Sequence, residues 1–78
     1  MPKKAIHITF PREKIKEPVI YHLGHKFKVV TTILRANVTH DEGWVVLELE
    51  GADTEIEKAE KWLSSLGLKI SSPGTEEN

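Results

Sequence analysis

Few side chains in this sequence could do chemistry: His22 and His25, Arg35, Trp44, the pair Glu48 and Glu50, and Ser64 with Ser65. His22 and His25 stand three apart, a spacing that brings both rings to one helix face, where they could share a metal ion. Zinc takes three or four protein ligands, and here no carboxylate or cysteine is placed beside the two imidazoles. His7 and His40 belong to other elements, so no metal site is expected. Glu48 and Glu50 share one face of a strand and look like a catalytic carboxylate pair. Alternating glutamates on a solvated sheet are the ordinary pattern, and Arg35 can pair with one of them across a hairpin. The two serines stand near a helix end, where hydroxyls bond to backbone carbonyls, and no histidine motif surrounds them. With no cysteine available as a nucleophile, no catalytic residue is expected. The chain reads as a non-enzyme without a cofactor.

The remaining composition narrows the class. Seventy-eight residues make one domain near the lower limit of independent folding. The absence of cysteine excludes disulfides and iron–sulfur ligation and suits a reducing cytoplasm, the expected location. A formal charge of −1 gives no pull toward nucleic acid or an anionic membrane. No apolar run approaches the roughly 20 residues needed to span a bilayer, and "AIHITF" alternates where a signal peptide would be continuously apolar. Neither nucleic-acid binding nor membrane insertion is expected.

The elements follow from hydrophobic periodicity. Ile6, Ile8 and Phe10 recur at a period of two, a strand ended by Pro11. Ile20, Leu23 and Phe27 form a stripe with Val19 beside it, predicting a short helix over residues 18–26 behind Pro18. "KVVTTILRANVT" and "GWVVLELE" read as two strands joined through "HDEG", with the glycine available for a positive φ. Ile56, Ala59, Leu63 and Leu66 mark a second helix, with Thr54 and Glu57 as its capping box and Asp53 as the alternative cap. Gly67 suits the left-handed position after that helix, and "LKI" starts a fourth strand. The polar end, residues 72–78, is expected to be disordered behind a single domain over residues 1–71. The order is βαββαβ: an α+β, ferredoxin-like sandwich with a four-stranded antiparallel sheet and two helices on one face. Its expected strand order is 4-1-3-2.

One stretch resists a simple reading. In "VVTTILRANV" the even positions Val30, Thr32, Leu34, Ala36 and Val38 form an apolar row suited to the core. The odd positions also begin apolar, with Val29, Thr31 and Ile33. On this reading Val29, Ile33, Trp44 and Val46 lie on the uncovered sheet face beside His7, Thr9 and Thr31, and the strand carrying the first two lies at the sheet edge. Such a surface is expected to meet a second copy, which makes those four residues the candidate dimer interface. RNA-binding sheets of this fold stack bases on aromatic residues; here Trp44 alone qualifies, and Glu48 and Glu50 follow it.

Taken in order, Pro18-Val19-Ile20, Phe27, Ile33-Leu34, Gly43, Leu47, Leu49-Glu50-Gly51 and Leu66-Gly67-Leu68 resemble the NIL domain across roughly residues 5–70. NIL domains are ACT-like. They occur at the C-terminus of methionine-importer ATPase subunits, where they pair and bind methionine as a regulatory signal, and fused to ferredoxin domains linked to sulfur amino-acid metabolism. The resemblance implies a homodimer with a small amino-acid ligand at its interface and no catalysis. It implies Thr31, Thr32, Ile33 and Arg35 as candidate ligand contacts, Arg35 because a guanidinium suits a carboxylate. Thr32 stands where the family's motif has asparagine, so a hydroxyl replaces an amide. The sequence has no Walker A glycine loop and no cysteine cluster, and the expectation is a free-standing regulatory domain. The alternative is a protein-interaction module without a small ligand, docking to a ferredoxin-type or sulfur-metabolism partner.

Overall fold

A computed structural model describes residues 2–15 and 17–73. The strands and helices are β1 (Lys3–Phe10), α1 (Val19–Lys26), β2 (Val30–Val38), β3 (Gly43–Glu50), α2 (Asp53–Ser65) and β4 (Lys69–Ser71), with one turn of 3-10 helix at Arg12–Lys14 after β1. The sheet runs β2-β3-β1-β4, antiparallel throughout. This is the expected βαββαβ architecture and strand order. Of the expected polar tail, residues 74–78 lie outside the described residues.

Both helices pack on one sheet face. Ile6 and Ile8 of β1 and Val45, Leu47 and Leu49 of β3 meet Val19 and Leu23 of α1 and Ile56, Ala59 and Leu63 of α2. Lys4 shares this side and reaches Glu60 of α2 at 2.9 Å. α1 starts behind Pro18, whose missing N–H costs nothing there. α2 starts differently from expectation, because the Thr54–Glu57 capping box does not form and Asp53 is already helical. Ala52 stands at the N-cap with no side-chain bond, and its carbonyl accepts the N–H groups of Glu55 and Ile56, both at 3.0 Å. Glu55 instead accepts the backbone N–H of Lys28 at 2.9 Å. That bond ties the first turn of α2 to the chain entering β2.

Two glycines are dictated by geometry. Gly67 has φ +86° and ends α2 by donating its N–H to Ser64 at 3.0 Å. At Gly51 a Cβ would lie 2.6 Å from the Lys28 carbonyl oxygen, so no larger residue fits without moving backbone. Gly43, expected at a positive φ, is instead the first residue of β3. The hairpin is closed by Thr39, which exchanges backbone and hydroxyl hydrogen bonds with Glu42 at 2.8–3.2 Å.

β2 departs from strict alternation. Ile33 lies opposite Leu47 and Arg35 opposite Val46, so Leu34 is an extra residue in a β-bulge. Cross-strand partners share a face. Before the bulge, therefore, Thr31 and Ile33 point to the helix side with Leu49 and Leu47; after it, Ala36 and Val38 do, while Arg35 and Asn37 point to the open side. The two apolar rows of the sequence are one row interrupted at Leu34. Val30 and Thr32, expected in the core row, face the open side opposite Glu50 and Glu48. Val30, Leu34 and Val38 are all exposed, and from this stretch it is Val29, buried at 7% exposure, that joins the core.

Candidate functional site

The open face carries its own cover. His7 and Val46 stand side by side on β1 and β3 with no helix above them, yet they are only 5% and 4% exposed. Trp44 lies along β3 from Val46, and its ring stacks on the His7 imidazole at 5.3 Å between centroids and 20° between planes. The Arg35 guanidinium carbon sits 5.5 Å from the indole centroid on the same face, within cation–π range. Lys3, Lys69, Glu48 and Glu50 occupy the same face around this stack. The surface expected to be apolar and open is polar at its margins and closed at its centre.

The exposed apolar side chains are elsewhere. Tyr21, Val30, Ile33, Leu34 and Val38 are about half exposed or more, and four of the five are on β2, the outer strand. On the helix side of this strand, between it and the start of α1, lies a cavity of 250 Å³. Ile33, Ala36 and Val38 of β2 line it together with Phe10 and Trp44 of the neighbouring strands; Ile15 and Tyr21 also line it, and Glu17 is the one charged residue of its lining among the described residues. Glu17 also approaches Lys14 at 3.4 Å. An apolar slot with one acid, bordered by an unpaired strand edge, can hold an apolar side chain while backbone N–H and C=O groups receive polar ends. Its volume is below the roughly 300 Å³ at which drug-sized pockets begin, the scale of a single amino acid.

The candidate ligand residues are thus divided. Thr31 and Ile33 face the helix side, and Ile33 lines the cavity; Thr32 and Arg35 face the open side. A single ligand on one chain cannot touch all four from one sheet face. The candidate interface residues divide as well. Val29 is in the core, Ile33 is 56% exposed on the helix side, and only Trp44 and Val46 share the open face, Val46 being buried there. The placement of Val29 and Ile33 on the open face was a consequence of reading β2 without its bulge. Ile15, which precedes α1, and Tyr21, off the stripe of α1, carried no sequence signal beyond being apolar.

The remaining chemistry-bearing residues are engaged locally. His25 Nδ1 donates to the Tyr21 carbonyl at 2.9 Å and its ring packs on Tyr21, so its Nδ1 is committed away from any site shared with His22. Among the described residues no cluster of three metal-ligating side chains occurs. The Ser65 hydroxyl donates to the Trp62 carbonyl at 2.6 Å. The Glu55 carboxyl is held below its ordinary pKa, first by the Lys28 N–H, against an opposing effect of desolvation, with Lys58 adding to the lowering.

Comparison with known proteins agrees with this fold. The sequence model of a family described as the NIL domain matches residues 4–72. The methionine import ATP-binding protein MetN of Helicobacter pylori (strain HPAG1) is 34% identical over 67 residues, covering 81% of this chain and 20% of that protein. The protein of the same description from Helicobacter acinonychis (strain Sheeba) is 33% identical over 72 residues, covering 87% of this chain and 22% of that protein. The chain spans about a fifth of the length of the curated relatives it matches. The crystal structure of the C-terminal domain of an ABC transporter ATP-binding protein from Enterococcus faecalis superposes with a TM-score of 0.77 at 25% identity, covering 94% of this chain and 86% of that one.

Proposed function

This chain belongs to the NIL domain family, and on that premise we propose that it is a non-catalytic regulatory domain that binds a small amino acid of the methionine class beside a homodimer edge. The observation that carries this reading is the apolar cavity of 250 Å³ bordered by the exposed outer strand β2. Ile33, Ala36 and Val38 receive the apolar or thioether side chain, with Thr31 on the same side of the sheet. The edge backbone of β2 and the Glu17 carboxylate offer partners for the carboxylate and ammonium groups. A second copy joins along β2, because that is where the exposed apolar side chains lie. Regulation follows from linkage: a ligand that binds the paired form better shifts the population toward it. The relatives named for methionine import support the ligand class. No described helix is long and apolar enough to cross a membrane; the relatives, named as ATP-binding proteins of methionine import, support a place on the cytoplasmic side.

Titration calorimetry with L-methionine, homocysteine and cysteine tests the reading. Saturable methionine binding at one site per subunit, lost in Ile33→Asp, is the expected result. Absence of heat with all three, from folded protein, would overturn the ligand and favour docking to a protein partner of sulfur amino-acid metabolism. Thr32 supports that second reading, because the residue at the motif's asparagine position faces away from the cavity.

A further inference from the structure

We propose that two copies pair antiparallel along β2 in one register, with the two-fold axis between Ile33 and Leu34, so that each copy's Thr31 completes the other's cavity. The choice of β2 as the paired edge rests on the proposed function; the register goes beyond it and follows from the β-bulge. Residues opposite one another in an antiparallel ladder share a face. A regular strand pairing with its own copy must therefore have a residue on the axis, facing itself. β2 is not regular. Thr31 and Ile33 share the helix side with Ala36 and Val38, and Val30 and Thr32 share the open side with Arg35 and Asn37. Across the bulge, odd-numbered residues thus share a face with even-numbered ones. An axis on a residue can then pair only one half of the strand with itself.

Val30 and Val38, at the two ends of β2, are each 62% exposed. Covering both takes a pairing that runs through the bulge, and the shared faces then leave two positions for the axis. Between Leu34 and Arg35, it would bring the two Arg35 side chains together across the axis, where like charges oppose pairing. Between Ile33 and Leu34, it sets Ile33, 56% exposed, against the partner's Leu34, 49% exposed. Each Arg35 then lies opposite the partner's Thr32, and Val30 opposite the partner's Asn37. This register has the apolar contact at its centre and the like charges apart. On the helix side it places the partner's Thr31 opposite Ala36, which lines the cavity. Thr31 is not in the lining of its own chain's cavity among the described residues. Its hydroxyl reaches the apolar slot from the second copy, where it can bond to a polar group of a bound ligand.

The sequence has no cysteine, so engineered pairs report the register on oxidation. Val30→Cys with Asn37→Cys should form a disulfide-linked dimer, because the two positions are opposed across the edge but too far apart to join within one strand. Thr31→Cys with Ala36→Cys, on the helix side, is a second pair of the same register. Thr32→Cys with Asn37→Cys reports an axis between Leu34 and Arg35, and Thr32→Cys alone reports an axis on Thr32. Copper-catalysed cross-linking, followed on non-reducing gels, should be roughly tenfold faster in the first two pairs, since only opposed Cα atoms come within disulfide reach. Circular dichroism establishes that each variant is folded. Faster cross-linking of Thr32→Cys with Asn37→Cys, or of Thr32→Cys alone, would overturn this register and leave the β2 dimer of the proposed function standing. A parent that sediments as a dimer, with slow cross-linking in every folded variant, would overturn pairing along β2. A parent that is monomeric at all concentrations would overturn the dimer itself.

Discussion

Val46 and Ile33 invert the usual rule for a two-layer sandwich. Val46 is on the face without helices and is buried; Ile33 is on the face with helices and is 56% exposed. The difference lies in what reaches each residue. Beside Val46, the Trp44 indole stacks on the neighbouring strand's His7 and the Arg35 guanidinium lies against that indole. At Ile33, on the outer strand, a cavity lined by Ile15 and by Tyr21 of α1 separates the helix side from the sheet. An uncovered sheet face is therefore not the same thing as an available surface. In this domain the available apolar surface is the outer strand.

The comparison can be sharpened by variants on each side. The largest effect is expected beneath the helices. Leu47→Ala, at a fully buried position adjacent to Val46, should lower the unfolding free energy by about 2–5 kcal/mol in urea titrations, the range for large-to-small core changes. A loss below about 1 kcal/mol would mean that the helix-covered core is loosely packed. Trp44→Ala comes next. The ring is only half-buried but stacks on the buried His7, so a loss of about 1–3 kcal/mol is expected. A change within about 0.5 kcal/mol, the ordinary range for a surface site, would make the open-face core a fiction and return that face to the solvent.

The smallest effect concerns the junction between α2 and the start of β2. Folding lowers the Glu55 pKa, mainly through the Lys28 N–H. The sign follows from linkage: a depressed carboxylate contributes stability above its unfolded pKa, and that contribution is lost as pH falls through the folded value. Glu55→Gln should therefore differ from the parent above about pH 4.5 and converge with it in more acid solution. Thermal midpoints measured down the acid range check this, and a gap that widened toward low pH would contradict the sign.

The architecture was legible in the sequence because each element carried its own local signal. The period of two in β1 and β3, the stripe of α2 and the Gly67 ending all correspond to observed features, and the order βαββαβ then leaves one natural topology. The face of β2 was not legible in the same way. A period of two predicts faces only while the ladder is regular, and one inserted residue exchanges them. The clue was present: the odd row is apolar up to Ile33 and the even row from Ala36 onward, with Leu34 at the change of phase. The cover over Val46 had no local signal, since it depends on where the Trp44 ring lies after folding. The start of α2 was not legible either, since the helix begins behind Ala52 and so takes Asp53, Thr54 and Glu57 inside it.

The central claim is that self-association belongs to the β2 strip and not to the open face. Sedimentation velocity over a range of concentrations tests it on the parent, Ile33→Asp and Trp44→Ala side by side. The account predicts a dimer for the parent, a folded monomer for Ile33→Asp and a dimer retained by Trp44→Ala. A parent that stays monomeric, or a dimer that survives Ile33→Asp and is lost in folded Trp44→Ala, would contradict it.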